Sequence, residues 1–223
     1  MDTIGIQFNL VNESKRVITP PDLSNFALML SLYNQQVGKA WNVPDPIVTP
    51  SATRGPGWNI CIVDTFPNPA MQKVALGYHE VVNGQPIAYI RANAYGTRSI
   101  FGAYSPALKL KNVTIHGERF TPGVITVAAH ELAEMLIDPQ VTRTATDGKK
   151  RPWVLEVCDH TVGSFKMVAG GVNGVLPDFT TPSFYDDAHG AKPYSYLNVP
   201  PAPFTLVKGA YGYWKDAAGL HKL

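Results

Sequence analysis

The feature that most constrains this chain is an apolar segment at residues 127–139 that carries one histidine and three acidic residues. At about 100° of rotation per helical residue, Glu134, Asp138 and Glu131 lie about 40°, 80° and 100° from His130. Apolar side chains cover most of the remaining circumference, which predicts a helix that is buried on nearly all sides. Because buried carboxylates are costly unless they are paired or bind a metal, the helix is a candidate metal site.

The spacing of these residues is that of a metal-binding helix. His130 and Glu134 stand at i and i+4, so both side chains can reach one ion. Glu131 points along the same edge, where it would hold a metal-bound water as the catalytic base. The zinc-protease motif His-Glu-x-x-His has this spacing, with a second histidine where this chain has Glu134. One imidazole with carboxylates also suits manganese, iron, magnesium or calcium. The alternative for the helix alone is a set of solvent-facing acids beside an ordinary histidine.

A second acidic cluster follows a polar loop and favours the metal site. Catalytic zinc sites often take their third ligand downstream of the helix, and in the thermolysin type this ligand is a glutamate. Glu156 is the expected third ligand. Asp159 or Asp138 is expected to accept the second N–H of His130 and fix its tautomer. Cys158 is expected to be a buried free thiol, like Cys61, with a thiolate ligand as the alternative.

These residues also carry a resemblance to a known family. The patterns His-Glu-x-x-Glu-Met-x-x-Asp-Pro and Glu-Val-Cys-Asp, with segments 178–184 and 203–211, are similar to a family of largely uncharacterised bacterial and phage proteins. The resemblance covers about residues 124–214, and the helix with its following Glu-x-x-Asp is more distantly similar to plant exordium-type proteins. It implies a zincin-like metal site at His130, Glu134 and Glu156, and it implies no particular substrate.

The rest of the chain predicts an α+β fold in a single metal-dependent hydrolase-like domain, residues 1–223. Residues 1–120 are expected to form a mixed twisted sheet with a long N-terminal helix. Residues 121–223 are expected to form the metal-site helix and a loop-rich C-terminal lobe. The predicted elements are a strand at 4–11, a helix of about twenty residues after Thr19 that ends at Trp41, a Pro/Gly-rich loop at 44–57, a strand at 59–65, and a hairpin of 74–82 and 85–92.

Local signals refine these elements. Asn83-Gly84 suits a type I′ hairpin turn, and Pro122 is expected at the first position of the metal-site helix. By analogy with zincin-like folds, residues 85–93 or 99–104 would supply an edge strand that binds an extended peptide.

Composition excludes several classes of protein. The net charge of +2 and the scattered Lys and Arg residues argue against a nucleic-acid partner. No apolar stretch approaches the length of a transmembrane helix, so no membrane partner is expected. The N-terminus lacks the charged start and apolar core of a secretory signal, which favours a cytoplasmic or phage-particle location.

These observations predict a metal-dependent hydrolase, with zinc as the first choice of ion, that acts on peptide or amide bonds of a peptide or protein substrate. The ion would polarise the scissile carbonyl while Glu131 moves the proton. A further donor must stabilise the oxyanion, and His160, Tyr185 and Tyr211 are the candidates.

Two non-catalytic alternatives stay open. In the first, the ion serves only to stabilise the fold. In the second, the chain is a phage virion protein of the capsid, tail or baseplate, with a zincin-like fold and a structural or vestigial metal site. The aromatic segment at residues 193–214 would then serve contacts in a homo-oligomer or a virion. Retention of Glu131 favours catalysis, because a structural ion needs no base.

Overall fold

The structure, a computed structural model, describes residues 5–96, 99–105, 109–110, 113–114 and 119–223. It confirms a mixed α+β fold with a mixed main sheet, and the described residues include two α-helices. None of the helices in these ranges is both long and apolar enough to cross a membrane.

The main sheet has five strands in the spatial order β2-β1-β3-β5-β4. Its strands are β1 (Ile6–Asn12), β2 (Pro46–Ser51), β3 (Trp58–Val63), β4 (Gly77–Val82) and β5 (Gln85–Arg91). Strands β2, β1, β3 and β5 pair in parallel, whereas β4 runs antiparallel to β5 and forms one edge. The sheet is therefore mixed only at the edge that carries β4.

The hairpin between β4 and β5 follows from local turn chemistry. Asn83 and Gly84 both have positive φ, 51° and 78°, as a type I′ turn requires. Val82 pairs with Gln85 across this turn, and the predicted hairpin is confirmed. The first alternative for the edge strand, residues 85–93, is wrong, however: β5 pairs with β3 on one side and β4 on the other, so it lies inside the sheet. The second alternative, residues 99–104, contributes no strand to this sheet.

The loop predicted at residues 44–57 is also partly wrong, because it contains β2. The two prolines of this strand, Pro46 and Pro50, weigh against a strand in the sequence. A sheet edge tolerates proline because one side of the strand needs no ladder hydrogen bonds, and β2 is the other edge of the sheet.

The first helix, α1, spans Pro20–Trp41. Thr19 Oγ1 accepts a hydrogen bond from the Asp22 N–H at 3.3 Å, and Asn42 ends the helix in the left-handed region. The buried face packs into the main core, which lies between the sheet and the two helices. At the far end, Trp41 Nε1 donates to the Thr180 carbonyl at 2.8 Å and ties α1 to the C-terminal part of the chain.

The second helix, α2, spans Val124–Ile137, and every residue in it except His130 is buried. The prediction of a helix buried on nearly all sides is thus confirmed. Its start differs from the prediction: the helix begins at Val124 with Gly123 as its N-cap, so Pro122 lies before the helix and not at its first position. The reason is the Thr126 hydroxyl, which accepts the Gly123 N–H at 3.0 Å and donates to the Val175 carbonyl at 2.6 Å.

The remaining strands are short and are joined by irregular segments. Six of the described strands form three separate antiparallel pairs: β6 (Ala103–Ser105) with β9 (Arg119–Thr121), β7 (Lys109–Leu110) with β8 (Val113–Thr114), and β12 (Ser164–Ala169) with β13 (Val172–Pro177). A small sheet in the order β10-β11-β14-β15 contains β10 (Thr144–Thr146), β11 (Pro152–Val154), β14 (Tyr213–Asp216) and β15 (Gly219–Lys222). Tyr213 of β14 and Lys222 of β15 line the same cavity as residues of α2.

Candidate metal centre

The polar stripe of α2 lines a cleft of about 360 Å³. Edge strand β4 forms one wall, and the segment after β11 with strands β14 and β15 forms the other. The ionisable residues that line it are His79, His130, Glu131, Glu134, Glu156, Asp159, Tyr78, Tyr211, Tyr213 and Lys222. The structure therefore brings five of the six predicted site residues to one cleft.

Two carboxylates lie against the same nitrogen of His130. His130 Nε2 is 3.2 Å from Glu134 Oε2 and 3.1 Å from Asp159 Oδ1. Asp159 Oδ1 is buried and has no hydrogen-bond partner among the described residues, so this contact lacks the geometry of a hydrogen bond. Two ligands of a tetrahedral ion with bonds of about 2.1 Å lie about 3.4 Å apart. The observed separations are close to that value.

Asp159 thus takes a different place from the one predicted. The expectation was a bond to the second ring nitrogen of His130, behind the ion. The structure places Asp159 Oδ1 at Nε2, the nitrogen that also faces Glu134. Asp159 is therefore positioned beside the ligands and not behind the imidazole.

The charges of this group are strongly coupled. Burial alone would lower the pKa of His130, but the charge of Glu134 and the close contacts of Asp159 and Glu134 raise that pKa well above its ordinary value. Burial raises the pKa of Glu134, although His130 acts in the opposite direction. Buried, closely spaced charges of this kind are common at functional sites.

Glu134 is also fixed to the segment that follows β11. Its Oε1 accepts the main-chain N–H of Cys158 at 3.2 Å. Cys158 itself is a buried free thiol, as predicted, and so is Cys61. The potential ligand atoms of His130, Glu134 and Cys158 all lie within 4.8 Å of one another. Burial raises the pKa of the Cys158 thiol well above its ordinary value, which favours the neutral form.

Glu156 lies in the same cleft, outside the group formed by His130, Glu134 and Cys158. Its Oε2 is buried and has no hydrogen-bond partner among the described residues. Burial raises the pKa of Glu156 well above its ordinary value, and the negative charges of Glu134 and Asp159 add to the effect. A side-chain hydrogen bond to Glu134 acts in the same direction.

His79 is the residue of this cleft that sequence reasoning missed. It lies on β4, and its Nδ1 is 3.4 Å from Glu131 Oε2. Burial opposes the charged form of His79, but the hydrogen bond and charge of Glu131 outweigh it and raise the pKa. The strand alternation in residues 77–82 was the one available signal, because it places His79 on the same face as Gly77, which packs against α2.

Asp138 is the predicted site residue that the structure places elsewhere. It is fully buried at the end of α2, and its Oδ1 and Oδ2 accept the main-chain N–H groups of Thr142 and Arg143, both at 2.9 Å. The helical angle predicts that Asp138 lies on the same polar stripe as His130 and Glu134. The turn after the helix then binds both carboxylate oxygens through these two main-chain N–H groups.

Of the three candidate oxyanion donors, only some lie at this cleft. His160 and Tyr185 contact each other, with 2.6 Å between His160 Nδ1 and the Tyr185 hydroxyl. Burial lowers the pKa of His160 to about 4. Neither residue lines the cleft, whereas Tyr211 does. Burial raises the pKa of Tyr211, as does Asp159, so its hydroxyl keeps its proton.

The cleft continues beyond α2 into a second cavity of about 420 Å³. The two cavities share Val74, Gly77, His130, Glu131, Asp159 and Tyr211. These residues therefore lie where the two cavities meet, near the middle of a longer open groove.

Comparison of the chain with protein-family models, with curated proteins and with solved structures gives no significant match.

Proposed function

We propose that this chain is a zincin-like, metal-dependent hydrolase of peptide or amide bonds. The observation that carries the proposal is the position of Glu131, next to the His130–Glu134 pair and at the centre of an open groove. A base beside a candidate ion site and within a groove is the arrangement that metal-assisted hydrolysis needs.

The donor set fits a divalent cation. His130 and Glu134 would hold it, with Glu156 as the third ligand. The buried, unpartnered Oε2 of Glu156 and Oδ1 of Asp159 support this assignment, because buried carboxylate oxygens rarely lack a partner. One imidazole with carboxylates suits zinc, and also manganese, iron or calcium. When bound, such an ion would polarise the scissile carbonyl and lower the pKa of water.

The side chains of the groove would divide the remaining work. Glu131 would accept a proton from the attacking water and deliver it to the leaving amine. Tyr211 would donate a hydrogen bond from its hydroxyl group to the developing oxyanion, since it lines both cavities of the groove.

Edge strand β4 supports an extended substrate. Leu76 and Arg91 are a hydrogen-bonded pair, with 2.9 Å from the Arg91 nitrogen to the Leu76 oxygen. In an antiparallel ladder the pattern alternates, so the main-chain groups of Gly77, His79 and Val81 point away from β5. These groups would be available to a substrate chain that pairs with β4.

The test is the metal content and peptidase activity of untagged protein for the wild type, Glu134→Ala and Glu131→Gln. We expect wild type to hold an ion and cleave a mixed peptide library, Glu134→Ala to lose the ion, and Glu131→Gln to keep the ion without cleavage. Glu80→Gln, on the same strand as His79, is the control and should behave as wild type. A wild-type protein that contains no metal after purification without chelator would contradict the proposal.

A structural ion is the second candidate function, and one contact favours it. Glu134 is only 3% exposed and accepts a hydrogen bond from the Cys158 N–H. An ion bound there would therefore join α2 to the segment after β11. Metal-loaded wild type that is folded but cleaves no peptide would favour this role. The virion alternative stays a prediction.

A further inference from the structure

A second pairing of a histidine with a carboxylate lies beside the first in the same cleft. The side chains of His79 and Glu131 are 5% and 8% exposed, and their closest atoms are 3.4 Å apart. Potential ligand atoms of His79, Glu131 and Glu134 all lie within 4.8 Å of one another. Glu134 therefore belongs to two groups of ligands, one with each histidine.

The contact between His79 and Glu131 is long for a hydrogen bond. Protein N–H···O bonds are usually about 2.7–3.2 Å, whereas ligands of one tetrahedral ion lie about 3.4 Å apart. The second nitrogen of His79, Nε2, is buried without a hydrogen-bond partner in the part of the chain that the structure describes. Packing alone does not explain a buried imidazole whose Nδ1 makes one long contact and whose Nε2 has no hydrogen-bond partner among the described residues.

The charge of the cleft favours a second cation. Four carboxylates line it, from Glu131, Glu134, Glu156 and Asp159, and Lys222 supplies the one lysine or arginine charge among the described lining residues. The lining therefore carries more carboxylates than lysine or arginine charges, and this excess would stabilise a cation that binds to them.

We propose that His79, Glu131 and Glu134 form a second cation site, which takes a divalent ion such as zinc and shares Glu134 with the first site. The consequence for activity rests on the proposed function, in which Glu131 is the base. An ion coordinated by Glu131 takes the oxygen lone pair that would accept the proton from water. The second ion is therefore an inhibitor, and the site makes the hydrolase sensitive to excess metal.

The experiment counts zinc ions per chain by mass spectrometry after equilibrium dialysis of untagged protein, with calorimetric titration to separate the two binding events. Wild type should hold two ions at saturation, the second more weakly. His79→Phe and Glu131→Gln should each hold one. Glu80→Gln should hold two, because Glu80 lies on the same strand and its carboxylate contacts the Tyr78 hydroxyl at 3.4 Å instead.

Each outcome decides the question. One ion in wild type, unchanged in His79→Phe, overturns the second site and leaves the first. No ion in wild type overturns both the second site and the proposed function. Two ions without any hydrolysis overturn the proposed function and support the second site. If circular dichroism shows that His79→Phe is unfolded, the count for Glu131→Gln decides.

Discussion

Gly77 on β4 lies so close to Glu131 on α2 that a Cβ atom at position 77 would stand 2.9 Å from Glu131 Cγ. The same atom would stand 2.5 Å from Val127 Cγ1. Real Cβ atoms do not approach other carbons this closely, so the edge strand and the helix meet at this distance only because residue 77 is glycine. The position of Glu131 in the cleft depends on that approach.

Gly77→Ala should therefore lower the free energy of unfolding by about 1–3 kcal/mol through overpacking. Urea denaturation measures the change. The double variant with Val127→Ala should recover part of the loss, because the closest atom is removed. Gly84→Ala is the control: nothing lies within 4 Å of its Cβ, so it should cost only its backbone strain and show no coupling to Val127→Ala. Wild-type stability in Gly77→Ala would contradict this account.

Thr126→Val should destabilise the protein by about 1–3 kcal/mol, because the valine leaves the Gly123 N–H and the Val175 carbonyl without their buried partner. Thermal unfolding by circular dichroism measures the loss. Thr144→Val, at an exposed position on β10, should change stability little. Equal effects of the two substitutions would show that the buried hydroxyl contributes nothing.

Asp147→Asn should lower stability at neutral pH and lose that effect in acid. Burial alone would raise the pKa of Asp147, but hydrogen bonds from Arg151 and Trp153 outweigh it and lower the pKa. A depressed carboxyl pKa stabilises the fold above the unfolded value of about 3.9, and the contribution disappears as pH falls through the folded value.

The difference in unfolding free energy between wild type and Asp147→Asn should thus be largest near pH 7 and should disappear below about pH 4. Urea titrations across this range measure it. Asp45→Asn, at an exposed position, is the control and should show no comparable gap. A gap of constant size between pH 7 and pH 3 would contradict the assignment.

Glu156→Gln should weaken metal binding by at least about tenfold, and more than Asp159→Asn does, if Glu156 is the third ligand. Competition with a chelating dye measures both affinities. The two substitutions remove the same charge in the same cleft, so each is the control for the other. A larger loss in Asp159→Asn would make Asp159 the ligand.

Local patterns predicted much of what surrounds the site. The apolar period of α2 identified a buried helix and the stripe with His130 and Glu134, and Asn83-Gly84 identified the hairpin. The prolines of β2 led to the wrong prediction of a loop, because the sequence does not say which strand will be a sheet edge. Pro122 led to the wrong start for α2, because the capping hydroxyl of Thr126 also depends on a bond to the distant Val175 carbonyl.

The sequence by itself determined which candidate ligands one helix can present, since a helical period fixes which side chains share a face. Only the tertiary structure decided what meets that face. It brought His79 to Glu131 across 52 positions of chain, set Asp159 at His130 Nε2, and gave the carboxylate of Asp138 to a turn. Such contacts depend on the packing of separate elements, and neither periodicity nor spacing in the sequence encodes the distance between them.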